Sequence, residues 1–408
     1  MNQWINIWTV LGGIMVVLGL VLLFTNLNQP TPSSAAMMRQ HLKQLSPQWQ
    51  EGKFRNSLPQ EMGGLFEMLK KQLTNKAQHK SPDAPLPVQK RNAEEFHQPP
   101  SEGLRLTWFG HSSVLIEIDD YRVLTDPVWG ERASPFSFAG PKRFHQPPMP
   151  LAELPPLDAV VISHDHYDHL DEQTIRQLKD RVPLFLVPLG IGDYLEQWGV
   201  SPERIVERDW WGEYQIGSLT LTATPARHFS GREISLSGFE QNQTLWCGWS
   251  IKGPVHSVYY SGDTAMFPGF KDIGDRLGPF DVTMIETGAY NALWADVHIG
   301  PEQAIEAHRM VRGNKLLPVH WGTFDLAMHN WTEPVERVRV AAAKHGVGLL
   351  LPRPGDSVTL GQPQTAAWWP ELPWETTEQA PIVSSHLSPA LAMETGELGE
   401  RVEAELSR

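Results

Sequence analysis

At 408 residues the chain is long enough for one large α/β domain or two smaller ones, and its apolar and charged fractions are those of a globular protein. A formal net charge of −13, with no long basic run, argues against nucleic-acid binding. Cys247 is the only cysteine, which excludes an internal disulfide and a thiolate metal cage, so any metal must be held by His and carboxylate.

Taken in order, the chain opens on a segment without charge from Trp4 to Phe24. That is about the length needed to cross a bilayer as a helix, and Trp4 and Trp8 suit a headgroup interface. Met1-Asn2-Gln3 lacks the basic start of a cleaved signal, so residues 1–25 predict a retained single transmembrane helix. Arg39 and Lys43 follow it and no Lys or Arg precedes it, which places the rest of the chain on the cytoplasmic side. Residues 26–103 read as a linker and an N-terminal arm with a helix over 60–76. The stripe Met62, Leu65, Phe66, Met68, Leu69 and Leu73 predicts that this helix docks onto the main domain; the alternative is a helix lying on an anionic membrane surface.

The main domain is expected over residues 104–360. Leu104–Phe109, Val114–Ile118 and Tyr121–Leu124 read as strands, followed by Asp126-Pro127 and a long loop over 134–156. Asp158–Ile162 is a β-branched apolar run that predicts a buried strand, closed by Ser163-His164-Asp165-His166-Tyr167-Asp168-His169-Leu170. Helices are expected after Asp171-Glu172, over Pro188–Trp198, from Pro301 and over 334–345. Further strands deliver His228, Asp263 and His320, and Gly346–Leu351 closes the sheet. Residues 361–408 form an acidic Pro- and Glu-rich tail without a sustained apolar pattern.

Three histidines and two aspartates within six residues, at the mouth of a buried strand, are unfavourable without a cation to hold them. On an extended backbone His164 and His166 aim the same way, while Asp168 and His169 reach a second point as the chain turns. His228 is the candidate to complete the first half-site and His320 the second. Asp263, with two carboxylate oxygens, is the candidate bridge, because strand ends of an α/β sheet converge along one edge. Two cations sharing a carboxylate sit about 3.5–4 Å apart.

These residues resemble the H-x-H-x-D-H signature of the metallo-β-lactamase superfamily. Flanking stretches narrow the resemblance to the N-acylphosphatidylethanolamine-hydrolysing phospholipase D family. They include Thr107-Trp108-Phe109-Gly110-His111, Leu124-Thr125-Asp126-Pro127, Gly140-Pro141-Lys142-Arg143-Phe144, Asp209-Trp210-Trp211 and Val319-His320-Trp321-Gly322-Thr323-Phe324, within roughly residues 104–346. The resemblance implies an α/β fold, a four-layer αββα sandwich, with two Zn2+ ions. His164, His166 and His228 would bind one ion and Asp168, His169 and His320 the other, with Asp263 bridging and Asp168 and Asp263 serving catalysis through a metal-bridging hydroxide. It further implies headgroup contacts from Tyr167 and His298, a membrane phospholipid as substrate, and a homodimer. Asp126 is expected to orient a ligating histidine from behind. Asp165 stands where better-known members carry Asn and is expected to point away from the metals. Residues 229–244 do not resemble the family, so lipid selectivity is expected to differ there. The competing readings are a binuclear zinc hydrolase of a soluble ester, lactone or sugar phosphate, and a non-catalytic anchored zinc protein.

Overall fold

The computed structural model describes residues 33–75, 77–232, 234–235, 238–239, 241–361 and 367–387. The arm carries helix α1 (Ser34–Leu45), the hairpin β1 (Trp49–Gln50) and β2 (Lys53–Phe54), and helix α2 (Leu65–Thr74). The first half of the domain runs β3 (Leu104–Gly110), β4 (Ser113–Ile118), β5 (Tyr121–Thr125), β6 (Ala159–Val161), α3 (Glu172–Leu178), β7 (Phe185–Pro188), α4 (Gly192–Gln197) and β8 (Ile205–Arg208). The second half runs β9 (Glu213–Ile216), β10 (Leu219–Thr224), the short pair β11 (Ile234–Ser235) and β12 (Gly238–Phe239), β13 (Gly248–Lys252) and β14 (Ser257–Tyr260). It continues with α5 (Gly269–Leu277), β15 (Phe280–Glu286), α6 (Pro301–Met310), β16 (Gly313–Val319), α7 (Glu333–His345), β17 (Gly348–Leu349) and β18 (Ser357–Val358).

Two seven-stranded sheets result, ordered β18-β3-β4-β5-β6-β7-β8 and β17-β16-β15-β14-β13-β10-β9. In each, an antiparallel part passes into a parallel part, at β5 and β14 respectively. Parallel strands need crossover helices, and these cover the outer faces. Successive strand residues point to opposite faces. Thus Leu106, Val114, Ile116 and Val161 join Leu221, Trp249 and Ile251 in the core between the sheets. Their neighbours Leu115, Leu124, Val160 and Ile162 pack outward against Ile175, Leu178 and Leu195 of α3 and α4. On the other side Ile305, Ala307, Val335 and Val338 bring α6 and α7 into the same apolar cluster as Met284 and Leu317 of β15 and β16. The layers are helix, sheet, sheet, helix. The sheets meet at the end of β6, where Trp249 Nε1 donates to Ile162 O at 2.8 Å and Cys247 N to Ser163 O at 2.9 Å.

The expected N-terminal transmembrane helix is corrected: no helix among the described residues is long and apolar enough to cross a membrane. The segment Trp4–Phe24, on which that expectation rested, lies outside the described residues. The helix expected over 60–76 is α2, but its stripe does not dock. Phe66 and Leu73 are 79% and 87% exposed, and Met62 and Leu69 are also exposed. The arm is held instead by polar groups before the helix: Asn56 Nδ2 and Gln60 Nε2 donate to His228 O at 2.7 and 3.0 Å, and Glu61 N to Asp296 Oδ2 at 2.9 Å. The helix expected over Pro188–Trp198 is shorter, because Phe185–Pro188 pairs as β7 between β6 and β8. The described part of the tail packs on the domain, with the Trp368 ring stacked 5.4 Å from Trp321 and Ile382 buried.

Candidate metal centre

Each residue of the centre sits just beyond a strand. Ser163–Leu170 follows β6, His228 follows β10, Asp263 follows β14 and His320 follows β16. After Ser163 the chain turns back on itself, with His169 N and Leu170 N both donating to His166 O. That turn separates His164 and His166 from Asp168 and His169. Two glycines permit the close approach of the other strand ends. A Cβ on Gly262 would lie 2.7 Å from Ser163 Cβ, and one on Gly288 would lie 2.1 Å from His320 O.

His164 Nε2, His166 Nδ1, His228 Nε2 and Asp263 Oδ2 form one group. Within it His166 Nδ1 is 2.9 Å from His164 Nε2 and 3.3 Å from His228 Nε2, while Asp263 Oδ2 is 3.7 and 3.8 Å from His164 and His228. Asp168 Oδ2, His169 Nε2 and His320 Nε2 form the second, and its two imidazoles face the same Asp263 oxygen. His169 and His320 lie 3.2 and 3.1 Å from Asp263 Oδ2, and 3.4 and 3.3 Å from Asp168 Oδ2. A tetrahedral zinc with arms of about 2.0–2.1 Å has ligand–ligand edges of about 3.3–3.4 Å. The observed separations bracket that edge.

The protons of these imidazoles are committed elsewhere. His169 Nδ1 donates to Asp126 Oδ2 at 2.6 Å and His228 Nδ1 to Val297 O at 2.9 Å. Ser163 Oγ donates to Asp126 Oδ2 and therefore accepts from His164 Nδ1 at 2.9 Å. The Nε2 atoms of these three rings thus face inward, the arrangement that outer hydrogen bonds impose on metal-ligating histidines. A single proton on His166 Nδ1 serves only one of its two neighbours. His169 Nε2 and Asp263 Oδ1 are buried without a hydrogen-bond partner. The donor set, all nitrogen and carboxylate oxygen with convergent lone pairs, fits two divalent cations.

The electrostatics agree. Burial, reinforced by neighbouring imidazoles, holds His164 well below its ordinary range, and burial likewise depresses His228, so both rings are neutral. Burial opposes ionisation of Asp168 and Asp263, but facing imidazoles, His169 foremost, outweigh it and hold both carboxyls well below the usual range. Burial opposes charge on His320 as well, yet Asp263 and Asp168 push it up to about 10. The centre as folded attracts positive charge.

Asp126 has no exposed surface and receives Ser163 N at 2.7 Å and Tyr260 OH at 2.5 Å besides His169. Asp126→Ala is expected to weaken zinc affinity about 10–100-fold, the usual cost of losing an orienting carboxylate; competition with a zinc-responsive chelator measures it, and unchanged affinity would refute the role.

The structure also places residues that sequence reasoning did not single out. His111, in the turn between β3 and β4, has Nε2 2.9 Å from Asp168 Oδ2 and its ring 4.1 Å from that of His320. Burial, with His320, lowers it to about 3, so it is a neutral donor to Asp168. Its motif was noted, but nothing in a lone turn histidine says which strand end it will meet. Glu286, the last residue of β15, is fully buried beside Asp263, with Oε2 3.0 Å from His298 Nδ1. Burial and Asp263 push the Glu286 carboxyl well up, and burial brings His298 down to about 4.

Tyr167 donates its hydroxyl to Arg232 O at 2.9 Å, and the Arg232 guanidinium lies 4.2 Å from its ring centroid. Asp165 turns away from the metal ligands, as expected, but into a structural task. It is buried, accepting from Gly231 N at 2.9 Å and Thr244 Oγ1 at 3.0 Å, and so clamps both ends of the loop over 229–244.

A model of the Beta-lactamase superfamily domain matches residues 121–321, a span containing both half-sites. An uncharacterized protein of Mycobacterium bovis is 46% identical over 334 residues, covering 79% of this chain and 87% of the relative. The N-acyl-phosphatidylethanolamine-hydrolyzing phospholipase D 1 of Caenorhabditis elegans is 37% identical over 270 residues, covering 63% of this chain and 74% of the relative. Among solved structures, the metallo hydrolase Igni18 of Ignicoccus hospitalis aligns with a TM-score of 0.47 at 23% identity, over 62% of this chain and 97% of that one.

Proposed function

Because the chain belongs to the N-acylphosphatidylethanolamine-hydrolysing phospholipase D family of the metallo-β-lactamase superfamily, we propose that it is a binuclear zinc phosphodiesterase. Its substrates are N-acylphosphatidylethanolamine-like phospholipids, cleaved to phosphatidic acid and N-acylethanolamine. The observation that carries this reading is the pair of half-sites sharing one oxygen of Asp263. A structural zinc site is closed, typically by thiolates, whereas nitrogen and carboxylate ligands without sulfur suit an open catalytic one.

His164, His166 and His228 would hold one ion and Asp168, His169 and His320 the other, with Asp263 common to both. Bound there, the ions would neutralise charge on the phosphoryl oxygens and bring the pKa of a water down to about 7. The rest falls to the chain. Asp126, Ser163 and Val297 O hold the imidazole tautomers, so no reorganisation is needed as charge develops. His111 donates to Asp168 and keeps that carboxylate turned to the centre. Asp168 is 14% exposed against 1% for Asp263, so of the two carboxylates it is the one that water reaches and can be oriented by. Tyr167 donates to the loop, yet its oxygen keeps lone pairs that the amide N–H of an N-acylated headgroup can use. His298, at the rim, offers its second ring nitrogen to the phosphodiester.

Chelation followed by zinc add-back tests the reading. Release of N-acylethanolamine from N-acylphosphatidylethanolamine vesicles, followed by mass spectrometry, is expected to cease on metal removal and return with zinc. Absence of that product from the zinc-loaded protein would refute the lipid reading.

A further inference from the structure

Glu286 is a buried acid that the proposed chemistry does not use. It closes β15, and its side chain has no exposed surface. With Asp263, His298 and His320 it forms a third group of ligand-type atoms lying within 4.8 Å of one another. It could therefore be taken for a further metal ligand, but its hydrogen bonds argue otherwise. Oε1 accepts from Thr264 N at 2.8 Å and from Ile299 N at 3.1 Å, and Oε2 lies 3.0 Å from His298 Nδ1. Three partners use both oxygens, and two of them are the amides immediately following Asp263 and His298.

One carboxyl group thereby ties together the turn that carries the bridging aspartate and the turn that carries His298. We propose that Glu286 is a positioning residue: it fixes the His298 imidazole with Nδ1 turned inward and Nε2 turned to the cleft, toward an anionic phosphodiester. Whichever of the two groups carries the shared proton, Nδ1 is engaged. The ring is 15% exposed while its carboxyl partner is fully buried, so the exposed part is the far edge. His298 is packed between His228 and His320, with ring centroids 5.2 and 5.4 Å away, so a ring released from Glu286 turns against the ligands of both half-sites. An unsupported histidine here loses orientation before it loses its place.

This inference rests on the reading of His298 as a substrate contact, and its test separates the two. In the zinc-loaded full chain, Glu286→Met keeps the volume and removes the hydrogen bonds, whereas Glu286→Gln keeps a partner for Nδ1 and an acceptor for both amides. Three quantities are measured: zinc content, affinity for inorganic phosphate by calorimetry, and turnover of N-acylphosphatidylethanolamine. Glu286→Met is expected to keep its zinc and to lose phosphate affinity and turnover about as much as His298→Ala, about 10–100-fold. Glu286→Gln is expected to recover most of that loss. The double variant Glu286→Met with His298→Ala should be no worse than His298→Ala alone, because residues acting as one unit are not additive.

Loss of zinc in Glu286→Met would make the residue a ligand, and multiplied losses in the double variant would make it independent of His298; either overturns the proposal. If Glu286→Met does not fold, Glu286→Asp, one methylene short of His298, must show the same phosphate loss. Failure of lipid turnover in the unaltered protein would refute the phospholipase reading alone, since phosphate affinity and zinc content report on Glu286 with any substrate.

Discussion

Asp263→Asn is expected to reduce the bound zinc from two ions to at most one per chain and to lower turnover about 10^3-fold. The reason is geometric and electrostatic together. Asp263 Oδ2 lies 3.1–3.8 Å from His164, His228, His169 and His320, and it is the one atom both half-sites share. An amide keeps the shape but removes the charge, leaving Asp168 alone to offset two divalent ions brought within a few ångströms of each other. The Lewis-acid contribution of a metal is several kcal/mol of transition-state stabilisation, and each 1.36 kcal/mol is tenfold in rate. Elemental analysis of the purified variant reads the first effect and lipid turnover the second. Two retained ions with undiminished turnover would show that Asp263 does not bridge the half-sites.

The second large effect concerns folding rather than chemistry. Arg227, immediately before His228, has no exposed surface and pairs with Asp296 at 3.0 Å, itself almost fully buried. The guanidinium donates to Met266 O at 3.2 Å, to Ser385 O at 3.1 Å and to Pro59 O. One side chain thus joins the arm, the second sheet and the tail. Arg227→Met leaves Asp296 as a buried carboxylate without its cation and frees three carbonyls, that of Met266 among them buried. Breaking one side of such a pair costs about 3–5 kcal/mol. Denaturant unfolding should show that loss, and limited proteolysis should cut first within the arm around residues 46–63 and in the tail after residue 367. An unfolding midpoint unchanged from the parent protein would show that Asp296 finds other donors.

How far the chain could be read before folding depended on what each residue needs from its neighbours. The His164–His169 cluster was legible because its five groups are adjacent in the chain, and their crowding is unfavourable without a cation. His228, Asp263 and His320 were legible as polar residues closing apolar strands, and the structure brings all three to the cluster. His111 and Glu286 sit in similar strand-end positions, but nothing in the sequence assigns either a place in the site, since a lone His at a turn and a lone Glu at a strand end usually face solvent. Asp165 turns away from the metal cluster, as its place in the sequence suggests, but the sequence does not announce its partners. The tight turn at His166 buries it, and it binds a loop some 65–80 residues later.

The apolar stripe of α2 marks the same boundary from the other side. Its spacing announces a helix with one apolar face, but periodicity does not say what lies against that face, and Phe66, Leu69 and Leu73 stand open. The tail carries no periodicity, yet Trp368, Trp369 and Ile382 pack onto a surface assembled from elsewhere in the chain.

Sequence alone therefore determined most of the strands and the residue types that close them, because hydrophobic period and donor set are local properties. Tertiary structure alone decided that one oxygen of Asp263 serves both half-sites, that Asp126 and Val297 set the tautomers, and that Glu286 stands behind His298. Those facts depend on distances of about 3 Å between residues far apart in the chain, and only the face-to-face packing of two sheets establishes them.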